Sequence, residues 1–272
     1  MDLGLEGRHG IVVGGSRGIG KAIAYALARE GVDLVIAARN LDRLQDTARE
    51  IEAETGRPVT PISCDTSSRE QVDGMVEQAL ASLGGLNILV NSGSEPGGSA
   101  TAVGYIDTIV DEDFLQDFNV KYMGALRCAR ACIPYLQEAG WGRIINVSGL
   151  NARIAGNLSG GARNTSLVHF TKTLSTQLGR DGITVNCIHP GITRTERTAE
   201  MLRARAERKG MTAEEVEAED FAPGSRRANA IGRMIDAADI AHLATFLCSD
   251  KAWAVTGEVI AADGGGGSSV YY

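Results

Sequence analysis

A glycine-rich segment, Gly14-Gly15-Ser16-Arg17-Gly18-Ile19-Gly20, lies between a β-branched run and a helical pattern. The run, His9 to Gly14 (HGIVVG), predicts a strand, and Ile19 to Glu30, closed by Gly31, predicts a helix. Residues without side chains at such a junction let backbone N–H groups close on an anion at the positive end of the helix. The alternation then continues along the chain. Strands are expected at Val32–Ala37, Val59–Ser63, Ile88–Val90, Arg143–Val147, Ile183–Ile188 and Glu258–Ala261. Helices are expected at Leu41–Thr55, closed by Gly56, and around 68–82, 112–139, 160–179 and 238–249. Strands joined through single helices need crossovers, which predicts an α/β, doubly wound sheet of about seven parallel strands with helices on both faces.

Composition narrows the class further. Hydrophobic residues make up 43% and charged residues 22% of the 272, a balance that argues against both disorder and membrane spanning. The net charge of −7 disfavours nucleic acid or an anionic membrane as a partner. No basic segment followed by an apolar core opens the chain, and a cytoplasmic location is the expectation. Cys128 and Cys132, four apart on an expected helix, could share a metal ion. The favoured reading of all five cysteines is buried thiols in a reducing compartment, with no metal site, because no further Cys/His pair accompanies them. No interdomain linker interrupts residues 1–272, which are read as one domain. The irregular stretch is roughly 192–233, with six basic and eight acidic residues between Arg194 and Asp220. It reads equally as a solvated helix and loop or as a lid over a substrate cleft.

The glycine segment follows a strand, opens a helix and precedes the end of the second strand by roughly 20 residues, as a dinucleotide site requires. Its spacing, G-x3-G-x-G, resembles that of the short-chain dehydrogenase/reductase family. Further stretches look like that family's landmarks: Cys64-Asp65-Thr66, Asn91-Ser92-Gly93-Ser94, Asn119 in FNVK, Gly182 to Asn186 followed by Pro190-Gly191-Ile192-Thr193-Arg194-Thr195, Ile231 to Arg233, and Thr256-Gly257 to Gly265. The resemblance implies a Rossmann-type domain. It also implies cofactor contacts from Gly14, Ser16, Arg17, Gly18, Ile19, Gly20, Arg39, Asp65, Thr66, Asn91, Gly93, Asn164, Pro190, Gly191, Ile192 and Thr195. A homo-oligomer (dimer or tetramer) is implied through 112–139, 160–179 and the C-terminal strand region; the terminal Gly264–Tyr272, ending in two tyrosines, either docks on a neighbour or frays. An NAD site normally carries an acid at the end of the second strand, for the ribose 2′-hydroxyl. Here that place reads Ala37-Ala38-Arg39, and Arg17 with Arg39 could bracket a 2′-phosphate, so NADP(H) is favoured over NAD(H).

The chemistry that the resemblance implies is hydride transfer between nicotinamide and a small carbonyl or alcohol substrate. It uses a Tyr as proton donor, a Lys four residues later, a Ser and an Asn. On the register fixed by Thr171-Lys172 and Gly182 to Asn186, Gly160 stands for the Tyr, Asn164 for the Lys and Gly149 for the Ser. Asn119 is the one expected survivor, and Ser148, one residue early, needs a local bulge to serve. Asn164 could still meet a ribose hydroxyl. Tyr122 and His169 are read as packing residues, and Lys121, at i+2 from Asn119, should face elsewhere. The candidate catalytic residues are therefore Asn119, Ser148 and Asn164. Three functions stay open: an oxidoreductase with a relocated proton donor; a lyase, dehydratase or isomerase on the same scaffold; or an inactive cofactor-binding protein.

Overall fold

A computed structural model of the chain describes residues 1–94 and 97–267. Seven strands form one parallel sheet: β1 (His9–Val13), β2 (Asp33–Ala38), β3 (Val59–Ser63), β4 (Ile88–Asn91), β5 (Gly142–Val147), β6 (Ile183–Pro190) and β9 (Val259–Ala262). Their spatial order is β3-β2-β1-β4-β5-β6-β9, and every neighbouring pair is parallel. A short parallel pair, β7 (Thr193–Arg194) with β8 (Ile235–Asp236), lies outside that sheet. The helices are α1 (Gly18–Arg29), α2 (Leu41–Thr55), α3 (Arg69–Leu83), α4 (Asp111–Phe118), α5 (Gly124–Glu138), α6 (Leu158–Leu178), α7 (Thr198–Lys209), α8 (Ala213–Phe221) and α9 (Ala237–Cys248).

The strands lack the polar alternation of a half-exposed sheet because both faces are covered. Val12, Leu34, Ile36, Val90 and Ile188 point to one side, where Ile23 and Leu27 of α1, Leu44 of α2 and Leu247 of α9 meet them. Ile11, Val13, Val35, Leu89 and Val185 point to the other, against Val72 and Met75 of α3, Cys128 and Leu136 of α5, and Leu167 and Phe170 of α6. Cys128 and Cys132 sit fully buried in this second layer, where burial raises both thiol pKa values. Tyr122 packs between Phe118 and Phe170, as expected of a packing residue. His169, by contrast, is exposed on α6 instead of packing against a neighbour: Leu167 and Phe170 take the inward turns.

The stretch expected as one helix over 112–139 is interrupted. A π-helical turn at Asn119–Met123 joins α4 to α5 and changes which side chains face the sheet. The order of strands reverses between β1 and β4, and ligands of open α/β sheets bind outside the strand ends at such a switch. None of the described helices is long and apolar enough to cross a membrane. Residues 268–272, including the paired tyrosines, lie outside the described residues.

Candidate active site

A cleft of about 940 Å³ opens over the C-terminal ends of the strands. Its floor is the glycine segment after β1. Gly14 has φ +81, and a Cβ there would fall 2.7 Å from the Ser92 carbonyl; a Cβ on Gly20 would fall 2.2 Å from the Gly14 oxygen. Both clashes are with the chain's own backbone, so glycine is what permits the tight turn from β1 into α1. Thr47 of α2 braces the turn by donating to the Ser16 carbonyl at 3.1 Å. The Gly18 N–H points outward and donates to the Glu196 carboxylate at 2.9 Å, so the helix terminus already attracts an anion.

One end of the cleft is lined by Arg17, Ala38, Arg39, Asn40 and Arg43, with no acid at the end of β2. Asp65 closes that end, its Oδ1 accepting from the Ser67 N–H and hydroxyl. Burial pushes the Asp65 carboxyl up, but the Ser67 hydrogen bonds and the charges of Arg39 and Arg127 outweigh it and hold the group below its usual range. Thr66 also lines the cleft and donates to the Val120 carbonyl at 3.3 Å, which ties the end of β3 to the π-helical turn.

The opposite end is built by that turn, by the segment after β5 and by the start of α6. Asn157 caps α6, accepting from Gly160 N at 2.6 Å. Asp117, 2% exposed, accepts from Ser159 at 2.5 Å and from the Ser99 N–H and hydroxyl, with Arg163 at 3.9 Å. Burial raises its pKa, but these donors win and lower it. The Ser148 hydroxyl donates to the Asn164 carbonyl at 3.1 Å, and Asn164 Oδ1 is buried with no hydrogen-bond partner among the described residues. Nearby, His189 of β6 is fully buried with both ring nitrogens unpartnered; burial first, then the charges of Arg153 and Lys121, push its pKa down to about 4.

Most residues singled out in the sequence line this one cleft: Gly14, Ser16 to Gly20, Arg39, Asp65, Thr66, Gly93, Ser148, Asn164, Pro190 to Ile192 and Thr195. Ser148 reaches it because the chain leaves the pleat after Val147, so no strand alternation applies there. Two residues do not line it. Asn91 Nδ2 donates to Asn146 Oδ1 at 2.9 Å between β4 and β5, turned beneath the cleft and not into it. Asn119 accepts from Arg127 Nη2 at 2.8 Å on the far side of the π-helical turn. Lys121, expected to face elsewhere, lines the cleft wall together with Val120 of the same turn. Residues two apart on a helical turn lie on opposite sides, so one of the pair had to point away, and it is Asn119. Lys121 is 7% exposed, and its Nζ donates to the Ser148 carbonyl at 2.9 Å. The sequence held one signal for it, a lysine set in the apolar company of Val120, Tyr122 and Met123.

At Gly160 and Gly149, where the resemblance implies a Tyr and a Ser, the space beside the backbone is occupied from the side. A Cβ on Gly160 would meet Asn151 Nδ2 at 2.6 Å and Asn157 Cγ at 2.8 Å, and one on Gly149 would meet Asn164 Nδ2 at 2.8 Å.

A family model described as Enoyl-(Acyl carrier protein) reductase matches residues 13–266, the span that carries the cleft and every strand after β1. The chain belongs to the short-chain dehydrogenase/reductase family. Among its relatives in that family, the NADPH-dependent reductase BacG of Bacillus subtilis is 31% identical over 97% of this chain and 99% of its own. The short-chain reductase protein NovJ of Streptomyces niveus is 30% identical over 94% and 92%. L-sorbose reductase from Gluconobacter frateurii, solved with NADPH and L-sorbose, superposes with a TM-score of 0.88 at 31% identity, covering 97% of this chain and 98% of that one. The short-chain dehydrogenase/reductase fold thus extends along nearly the whole length of the chain.

Proposed function

We propose that the protein is an NADP(H)-dependent oxidoreductase acting on a small carbonyl or alcohol. The observation that carries this reading is the end of β2, where Arg39 and Arg43 with Arg17 line the cleft and no carboxylate stands. The glycine turn that lines the cleft fits a pyrophosphate, and the outward Gly18 N–H would hold it in place of Glu196. When bound, NADPH supplies a hydride. The chain's own part is to hold the phosphates on α1, to close the adenosine end with Asp65 and Thr66, and to line the reacting end with Lys121, Ser148, Asn164 and Pro190 to Thr195. The NADPH relationship of BacG and of the sorbose reductase supports the choice of cofactor.

Residues 192–233 fit the lid alternative within this reading, since Met201, Leu202, Arg205, Asp220 and Arg227 form a wall of the cleft. Assembly into two or four copies is also part of it; Leu115 on α4, 65% exposed, lies in a stretch proposed to pair. Calorimetry with NADPH and NADH tests the cofactor assignment. Charge-assisted hydrogen bonds from two arginines favour NADPH by about tenfold or more, and Arg39→Glu removes most of that preference. Equal affinities in the unaltered protein would contradict the assignment.

A further inference from the structure

The geometry points to Lys121 as the group that gives a proton to the substrate's carbonyl oxygen in reduction and takes it from the alcohol in oxidation. This rests on the oxidoreductase reading above and adds the residue that the sequence left missing. The expected tyrosine position is Gly160, walled off by Asn151 and Asn157, and no tyrosine or histidine lines the cleft among the described residues. Among the described residues Lys121 is the one lysine that lines the cleft, and the charged groups beside it there, such as Arg163, are guanidiniums, which do not release a proton in proteins. Ser148 is committed to the Asn164 carbonyl. Lys121 makes one hydrogen bond among the described residues, to the Ser148 carbonyl, and pairs with no carboxylate there. An ammonium has three donors, so it can hold that carbonyl and still turn a proton toward the cleft.

The surroundings set its acidity. Arg163 faces Lys121 from α6, while Cys187 and His189 face it from β6. Burial, followed by the Arg163 charge, brings the Lys121 pKa down to about 7, with only the Cys187 thiol opposing. A proton donor near the working pH transfers its proton most effectively. In reduction the carbonyl carbon gains the hydride and its electron pair, the π pair moves to oxygen, and that oxygen takes one proton from Lys121. The alcohol, NADP⁺ and a neutral lysine amine result, and the amine regains its proton from water. Asn164 Oδ1, buried and unpartnered beside it, can accept from a hydroxyl of either cofactor or substrate.

Three measurements on the full chain test this together. The first is deuterium transfer from 4-deuterated NADPH to a panel of aldehydes, 2-oxo acids and vicinal diketones, read between pH 5.5 and 9 for the unaltered protein, Lys121→Met and Lys121→Arg. The second is NADPH affinity of the three proteins by calorimetry. The third is an NMR titration of ¹³Cε-labelled lysine, of which the chain has five. Expected are a transfer rate that falls as pH rises through about 7 and a loss of about 10²-fold or more in Lys121→Met at an NADPH affinity within about twofold. The pH dependence should vanish in Lys121→Arg, and one lysine resonance with a midpoint near 7 should be absent from both variants. A Lys121→Met protein that keeps the unaltered rate and profile overturns the proposal while leaving the oxidoreductase reading intact. If that variant does not fold, an unchanged profile in Lys121→Arg overturns it equally. Tight NADPH binding without label transfer to any carbonyl overturns the redox reading and this proposal with it, and absence of NADPH binding overturns the cofactor assignment.

Discussion

At the residue scale, the proposed chemistry turns on two positions where the resemblance implies a Ser and a Tyr and the chain has Gly149 and Gly160. Gly149 and Gly160 are not open gaps: Asn164, Asn151 and Asn157 occupy the space that a Cβ would need. A side chain at position 160 would have to displace Asn157, the cap of α6. The cofactor side of the cleft was legible in the sequence because glycine spacing and the absent acid after Ala38 act through the backbone and through charge type. The catalytic side was less so, because it depends on which way Asn119 and Lys121 point, and a π-helical turn does not announce itself in a hydrophobic pattern. Burial at this scale also sets a pH limit. His189 stays neutral in the fold until about 4 instead of its usual 6.5, so an unfolded chain binds a proton between those values that the folded one refuses. Stability therefore falls as pH drops from 6.5 toward 4. Replacing His189 by Leu should flatten that acid limb in urea unfolding at pH 7, 5.5 and 4.5; an unchanged slope would show that another group causes it.

Among the elements, α6 carries the most consequence. Its first two turns hold Ser159 on Asp117, Arg163 beside Asp117, and Asn164 over Ser148, so its start fixes three groups of the reacting end. Asn157 caps that turn and also reaches the Gly97 carbonyl at 3.2 Å. Asn157→Ala should cost about 0.5–2 kcal/mol, the usual loss for an N-cap, and lower the melting temperature by a few degrees, measured by calorimetric scan. A variant as stable as the original would mean that the cap does not hold the helix start. Element positions were read from periodicity with small errors at the ends. The 192–233 stretch was harder because α7 and α8 are charged on most sides, so no apolar stripe marked them. One signal was available there: Thr212 and Glu215 form a capping box at the start of α8, a spacing that charge counting passes over.

For the whole molecule, the seven-stranded parallel sheet brings residues as distant in sequence as Arg17, Lys121, Asn164 and Thr195 to one cleft at the switch between β1 and β4. Strand–helix alternation made this architecture readable, since crossovers leave few other solutions. The cationic lining of the cleft stands out in a chain of net charge −7, and it concentrates attraction for phosphates beside the glycine turn. That convergence is the central claim: one cleft holds NADP(H), with arginines at one end and a buried lysine at the other. A crystal structure of the protein with NADP⁺ bound tests it most directly. The account predicts the pyrophosphate on the Gly18 N–H with Glu196 displaced, the 2′-phosphate within hydrogen-bonding distance of Arg17 and Arg39, and Lys121 Nζ facing the nicotinamide end. A 2′-phosphate that touches neither arginine, or a cofactor seated elsewhere, would contradict it.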